Sequence, residues 1–404
     1  MKMNKLTVAI LIAMLLGIVT GQGYRLFAPT QAATFASDIT LLTDIFLRLI
    51  KMIIAPLVFT TLVVGIAKMG DTRTVGRIGA KTLGWFMLAS LMSVTLGLVM
   101  VHLMQPGVGL SLSLPDDGAS SGVAATAISL KDFVTHAIPK SVIEAMATNE
   151  ILQIVVFSLF FGLAAAALGD AAKPVVMLMA SAAEIMLKVT GYVMNFAPFA
   201  VFGAIAAMVA KEGLGILATY GTFMAQFYLA LACLWLLLIA MGSLFIRRRI
   251  LTLLAMIREP ILLAFSTASS EAAYPKTLDR LEKFGCDKRI ASFVLPMGYS
   301  FNLDGSMMYC TFAVMFIAQA YGIELSMAQQ ITMLLLLMVT SKGMAGVPRA
   351  SLVVIAATLN QFQIPEAGIL LLLGIDHFLD MGRSATNVLG NAIAASVVAK
   401  TEDS

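Results

Sequence analysis

Apolar runs recur along the chain at about 6–27, 41–67, 82–103, 149–168, 174–209 and 216–245. Each is long enough to cross a hydrocarbon core of about 30 Å, which takes roughly 20 helical residues. One buried core cannot absorb so many, so the pattern predicts membrane-spanning helices. The first run follows Lys2 and Lys5 as a signal peptide would, yet Thr20-Gly21-Gln22-Gly23 offers no small-x-small cleavage site, which predicts a retained span. Lys68, Arg73, Arg77 and Lys81 follow the second run, and Arg247, Arg248 and Arg249 the sixth. The preference of basic loops for the cytoplasm then gives six crossings from a cytoplasmic amino terminus. The stretch 105–140, with Pro115, Asp116 and Asp117, reads as an outside loop.

Beyond Arg249 the pattern changes, because polar clusters interrupt the apolar text. They are Ser266-Thr267-Ala268-Ser269-Ser270-Glu271, Asn302-Leu303-Asp304-Gly305-Ser306, Ser341-Lys342-Gly343-Met344-Ala345-Gly346-Val347-Pro348, and a stripe over 376–391. Irregular backbone at membrane depth survives only where protein buries it or a watery cavity meets it. The order also repeats: a hairpin-like segment with a Ser/Gly tip precedes a polar helix over 250–321 and again over 327–400. Entered from opposite sides, the two form an inverted repeat, the arrangement that points to a transporter's binding site.

Composition agrees. Of 404 residues 59% are hydrophobic and 12% charged, and a mean hydropathy of +0.92 makes lipid the solvent for most of the chain. The net charge of +4 sits in the basic loops, so no nucleic-acid partner is implied. Cys233, Cys286 and Cys310 lack paired spacing, which supports neither a disulfide framework nor a Cys-rich metal site. His102, His136 and His377 are too dispersed for a metal ligand set, and the 27 methionines read as core filling.

The chemistry concentrates on the last helix, where Asp376, Asp380, Arg383, Asn387 and Asn391 fall on one face, with Ser384 and His377 flanking. The bland reading is an Asp380–Arg383 pair that neutralises two unwelcome charges. Charges inside a membrane are expensive and tend to be functional. The sharper reading is that Arg383 grips a carboxylate with its planar fork while Asp380 receives an ammonium group. The hairpin tips offer backbone amides and the Ser269 and Ser270 hydroxyls to a second carboxylate; their bland alternative is a Ser-rich helix contact. The Asn302–Ser306 cluster, after Pro296 and Gly298, would unwind a helix and expose carbonyls beside Asp304, where a cation can sit.

From Lys51-Met52-Ile53-Ile54-Ala55-Pro56 through Asn302–Ser306 and Asp380-Met381-Gly382-Arg383 to Val398-Ala399-Lys400, the chain resembles the dicarboxylate/amino acid:cation symporter family, which includes the glutamate transporters. In pattern it is closest to the prokaryotic proton/glutamate symporters. The resemblance implies an all-α polytopic membrane protein with eight transmembrane helices, two re-entrant helical hairpins and inverted repeats. It also implies a homotrimer in the inner (plasma) membrane, with both termini cytoplasmic, working as an elevator. A scaffold would comprise residues 1–81 and 107–212, and a transport part residues 82–106 and 213–404. By matching motifs, Arg383 would bind the side-chain carboxylate and Asp380 the amino group. Asn387 would take the main-chain carboxylate or amine, and backbone groups at Ser270 and Val347 the main-chain carboxylate. Ser306 and Ser384 stand where many relatives have threonine. The substrate implied is glutamate or aspartate.

The expected coupling ion rests on departures from sodium-coupled relatives. Asn391 stands where they have aspartate, Phe86 and Ala89 where they have tyrosine and threonine, and Met344 in place of a polar residue. Ser90, Asn302 and Asp304 remain. Losing oxygen ligands disfavours a hard cation, so a proton is the expected coupling ion and no bound cofactor is expected. Glu271, where many sodium-coupled members have serine, is the first candidate proton carrier and Asp376 the second; Glu271 could instead pair with Arg349. A sodium-coupled symporter and a C4-dicarboxylate carrier for succinate, malate or fumarate stand as alternatives. So do an intramembrane hydrolase built on Ser270 with Glu271 or Asp376, for which no basic partner is in place, and an ion channel.

Overall fold

The computed structural model describes residues 5–69, 72–108, 137–214, 216–341, 350–373 and 375–402. Among them every regular element is helical. In chain order these are α1 (Lys5–Phe27), α2 (Pro29–Met69), α3 (Thr72–Met104), α4 (Val142–Ala147), α5 (Ile151–Leu168), α6 (Lys173–Met194), α7 (Ala197–Glu212) and α8 (Ile216–Ile246). Then follow α9 (Arg249–Thr267), α10 (Tyr274–Phe284), α11 (Lys288–Phe301), α12 (Asp304–Ala320), α13 (Met327–Thr340), α14 (Ala350–Gln361), α15 (Leu370–Leu373) and α16 (Asp376–Glu402). Seven stretches of described helix are long and apolar enough to cross a membrane.

Two predicted boundaries shift outward. The second and third spans begin at Pro29 and Thr72, well before their apolar runs, because helix propensity does not stop where hydrophobicity does. The run 174–209, predicted as one helix, breaks at Asn195 and Phe196 between α6 and α7. Pro198 sits in the first turn of α7, where its missing N–H would have cost an unbroken helix a hydrogen bond. Most of the predicted outer loop, including Pro115, Asp116, Asp117 and His136, lies outside the described residues, and α4 beside it carries no periodic signal long enough to predict.

α1, α2, α5, α6 and α7 pack chiefly on one another, α2 at their centre. The polar elements pack on α16, which touches α8, α9, α11, α12 and α3. The interrupted segments appear where the sequence places them. α9 and α10 form one hairpin, with Ala268 in the left-handed region at its tip. α11 ends and α12 begins around Asn302 and Leu303. α13 and α14 form the arms of the second hairpin, whose tip residues 342–349 lie outside the described set, and α15 and α16 follow as a second interrupted helix. Asp304 opens α12 and Asp376 opens α16, so each repeat restarts on an aspartate, the residue a helix amino terminus favours. Among the described residues, counting α6–α7, α11–α12 and α15–α16 once each and setting the hairpin arms and short α4 aside gives eight candidate crossings and two hairpins. The α11–α12 span is buried over 94% of its apolar window against 22% for α1, so the broken helix forms the interior.

The α9–α10 hairpin is held by charge. Glu259, nearly fully buried, takes Lys276 at 3.1 Å and also pairs with Arg280. Breaking such a buried cluster one-sidedly costs several kcal/mol.

Candidate functional site

The predicted stripe is real and wholly interior: Asp376, Asp380, Arg383, Ser384, Asn387 and Asn391 have no exposed surface. Helical spacing puts them on one side of α16, and the α11–α12 break supplies the facing wall. Arg383 Nε lies 2.6 Å from Asp380 Oδ1, so the intrahelical pair exists. Arg383 Nη1 also donates to Ser306 Oγ at 3.0 Å.

Ser306 is a hub, because Asn387 Nδ2 donates to the same Oγ at 2.9 Å. Asn387 Oδ1 in turn accepts from the backbone N–H of Gly305 at 2.9 Å and of Ser306 at 3.2 Å. Those are amino-terminal amides of α12, which lack intrahelical acceptors. Asn387 therefore caps α12 as well as facing the site, a role its position on the stripe did not reveal.

The break itself is braced one turn further along. Asn302 Nδ2 donates to Asp304 Oδ2 at 3.0 Å and to Asn391 Oδ1 at 3.1 Å. Ser93 on α3 donates to the Asp304 carbonyl at 2.5 Å. Two glycines permit this approach: a Cβ on Gly298 would strike the Asn391 amide, and one on Gly390 the Asp304 carboxylate. Gly298 thus belongs to the site through the space it leaves. Ser90, Phe86 and Ala89 are buried on α3, the helix that carries Ser93.

At the other end of the stripe Tyr309 donates its hydroxyl to Asp376 Oδ1 at 2.7 Å. Motif reading missed Tyr309, although a tyrosine in the apolar α12 is the kind of residue that needs a buried partner. It also missed Trp235, whose Nε1 donates to Thr386 Oγ1 at 2.8 Å, and Tyr228, which donates to the Phe378 carbonyl at 2.6 Å. Both tie α8 to the back of the α16 stripe.

At the first hairpin tip Ser269 and Ser270 are buried. Ser269 Oγ accepts from the Ala272 N–H at 3.3 Å, so that hydroxyl also closes the tip. Glu271 is half-buried and opens a short 3₁₀ turn leading into α10. Val347, Met344 and Arg349 lie outside the described residues. His102 Nε2 bonds Gln330 Oε1 at 2.8 Å, joining α3 to α13. None of the three cysteines, all among the described residues, is in a disulfide. Among the described residues no group of three metal-ligating side chains forms.

A buried carboxylate–guanidinium pair with converging hydroxyls and amides, set between interrupted helices in a bundle of long apolar helices, is the candidate site of a multi-pass membrane protein. The sequence pattern of the sodium:dicarboxylate symporter family matches residues 6–401, and the chain belongs to that family. It is 41% identical to a proton/sodium-glutamate symport protein of Bacillus caldotenax over 97% of its own length and 93% of the relative's. It is 40% identical to a C4-dicarboxylate transport protein of Laribacter hongkongensis (strain HLHK9), covering 98% and 89%. It is 39% identical to a proton/glutamate-aspartate symporter of Bacillus subtilis (strain 168), covering 97% and 94%. The chain is thus a multi-pass membrane protein of a transporter family.

Proposed function

We propose that the protein is a proton-coupled importer of an acidic amino acid, glutamate or aspartate. The observation that carries this reading is the fully buried Asp380–Arg383 pair. A zwitterion with a second carboxylate can exchange into such a pair, giving its carboxylate to Arg383 and its ammonium to Asp380 without leaving either charge alone. Ser306, Ser384 and Asn387 would join the pair as substrate contacts, with Ser269 and Ser270 from the first hairpin tip; Val347, expected from the second, lies outside the described residues.

The coupling ion is argued from Asn391. Its Oδ1 is occupied by the Asn302 amide, and a neutral amide attracts a cation less than the carboxylate of sodium-coupled relatives. Phe86 and Ala89 offer no oxygen from α3. Glu271 is the proposed proton carrier, with Asp376 second. Residues 1–81 with 107–212 would form a scaffold, against which residues 82–106 with 213–404 slide as an elevator. Three copies would assemble in the inner membrane with cytoplasmic termini. The packing of α16 against α3, α8 and α9–α12 supports that division. A C4-dicarboxylate carrier is the second reading, favoured by the similarity to the Laribacter protein; it would leave Asp380 without a ligand charge to meet.

The test is uptake of labelled glutamate, aspartate and succinate into proteoliposomes, with proton and sodium gradients imposed separately. Proton-driven amino-acid uptake in sodium-free buffer is expected. Strict sodium dependence would overturn the coupling, and uptake of succinate alone would overturn the substrate.

A further inference from the structure

Away from this site, where α8 turns into α9, lies a cavity of about 1110 Å³. Its walls are the last turn of α8, the first of α9, the α10–α11 turn and the end of α16. Two left-handed positions open it: Arg247 at φ +51° reverses the α8–α9 connection, and Gly285 at φ +98° turns the chain away from α10. For arginine that backbone conformation costs about 1–2 kcal/mol, the kind of strain that marks function.

Four cations line the cavity, Arg247, Arg248, Arg249 and Lys400, and no acidic residue is among its described lining. Arg249 is fixed in place, its Nη2 donating to the Phe284 carbonyl at 2.8 Å and its guanidinium lying 4.6 Å from the Phe284 ring centre. Two described acids nearby are engaged by other cations: Glu402 pairs with Arg77 at 2.7 Å and Lys81 at 2.6 Å, and Asp287 with Arg289 at 2.5 Å. Positive charge concentrated in a cavity with low-dielectric walls focuses an attractive field on anions. On its rim Leu244 is 76% and Phe245 43% exposed, apolar side chains at the end of a span.

The Arg247–Arg249 triplet also reads as a plain topological signal. That reading explains the charge, but neither the left-handed arginine nor the cavity whose wall Arg249 fixes. Basic pockets between membrane helices suit phosphorylated head groups. We propose that this cavity binds the phosphate head of an anionic phospholipid, with Arg247, Arg248 and Lys400 toward the phosphate oxygens and an acyl chain along Leu244 and Phe245. The proposal requires a membrane protein and is independent of the substrate and coupling ion.

Native mass spectrometry of the purified protein, titrated with phosphatidylglycerol and in parallel with phosphatidylcholine, tests it. The wild type should prefer phosphatidylglycerol, and R247Q/R248Q should lose about 30-fold of that affinity, from the worth of two arginines at a lipid surface. K400Q, which leaves the α8–α9 turn intact, should lose about fivefold and decides the matter if the double variant fails to fold. Equal binding of both lipids, or unchanged phosphatidylglycerol affinity in K400Q and in a folded double variant, would overturn the site. Displacement of the lipid by soluble glycerol phosphate at equal concentration would overturn the lipid source in favour of a free phosphate compound.

Discussion

Tyr309 donates its hydroxyl to Asp376 Oδ1 at 2.7 Å, fastening the middle of one interrupted helix to the point where the other resumes at α16. Both groups are shut away from solvent, since both residues are fully buried. Tyr309→Phe keeps the ring and its edge contact with Phe227 but removes the donor. A hydrogen bond to a charged group is worth about 1.5–3 kcal/mol, so the variant should melt several degrees below wild type in a thermal shift series. An unchanged melting point would mean that Asp376 does not depend on this bond.

Asn391→Asp tests the ion argument by restoring a carboxylate. The new carboxylate would lie next to Asn302 and near Asp304, two like charges in a buried space, which a cation relieves. Sodium should then raise the melting temperature and stimulate uptake in the variant, with neither effect in wild type. Equal sodium response in both would show that the amide is no barrier to sodium.

How far the sequence could be read depended on the length scale of the signal. The α16 stripe and the Asn302–Ser306 break were legible, because helical spacing and the expense of charge in lipid are local. The hub at Ser306, the cap that Asn387 provides to α12, and the space left by Gly298 and Gly390 were not, because each joins residues about 80 positions apart or more. The α6–α7 break was marked by Pro198, yet apolar composition on both sides concealed it. Tyr309 and Trp235 stand in no motif, and only the placement of Asp376 and Thr386 makes them polar anchors.

Asp380→Asn separates the two substrate classes. The amide keeps the shape beside Arg383 but loses the charge that would receive an ammonium group. Amino-acid uptake should fall by about two orders of magnitude, the scale of one charged hydrogen bond lost. Succinate, which has no ammonium group, should compete better in the variant than in wild type. If glutamate uptake survives and succinate gains nothing, Asp380 serves only to neutralise Arg383.

Asp287 caps α11, accepting from the Arg289 N–H at 2.8 Å. The Arg289 guanidinium, together with that amide, holds its carboxyl below the usual range against the opposing effect of partial burial. A lowered acid contributes stability that is present above its unfolded pKa and lost as pH falls through the folded one. Asp287→Ala should cost about 1 kcal/mol at neutral pH, and the gap from wild type should narrow below about pH 4. Asp287→Asn, still a capping residue, should lose less. Parallel wild-type and alanine melting curves from pH 7 down to pH 3 would remove the charge from the account.

Glu271 is where the transport cycle itself can be tested. A proton-coupled carrier needs a group that takes a proton on one side and releases it on the other while moving with the solute, and Glu271 sits half-buried on the hairpin tip beside Ser269 and Ser270. Glutamine fills the same volume and cannot titrate. Glu271→Gln should therefore still bind substrate and exchange labelled for unlabelled glutamate across proteoliposomes. It should not accumulate substrate against a gradient when a proton gradient is imposed, and its exchange rate should be flat across pH. Asp376→Asn serves as the contrast, since Tyr309 already engages that carboxylate. If Glu271→Gln accumulates glutamate with the wild-type pH profile and Asp376→Asn does not, the proton travels on Asp376; if both accumulate, it travels on neither.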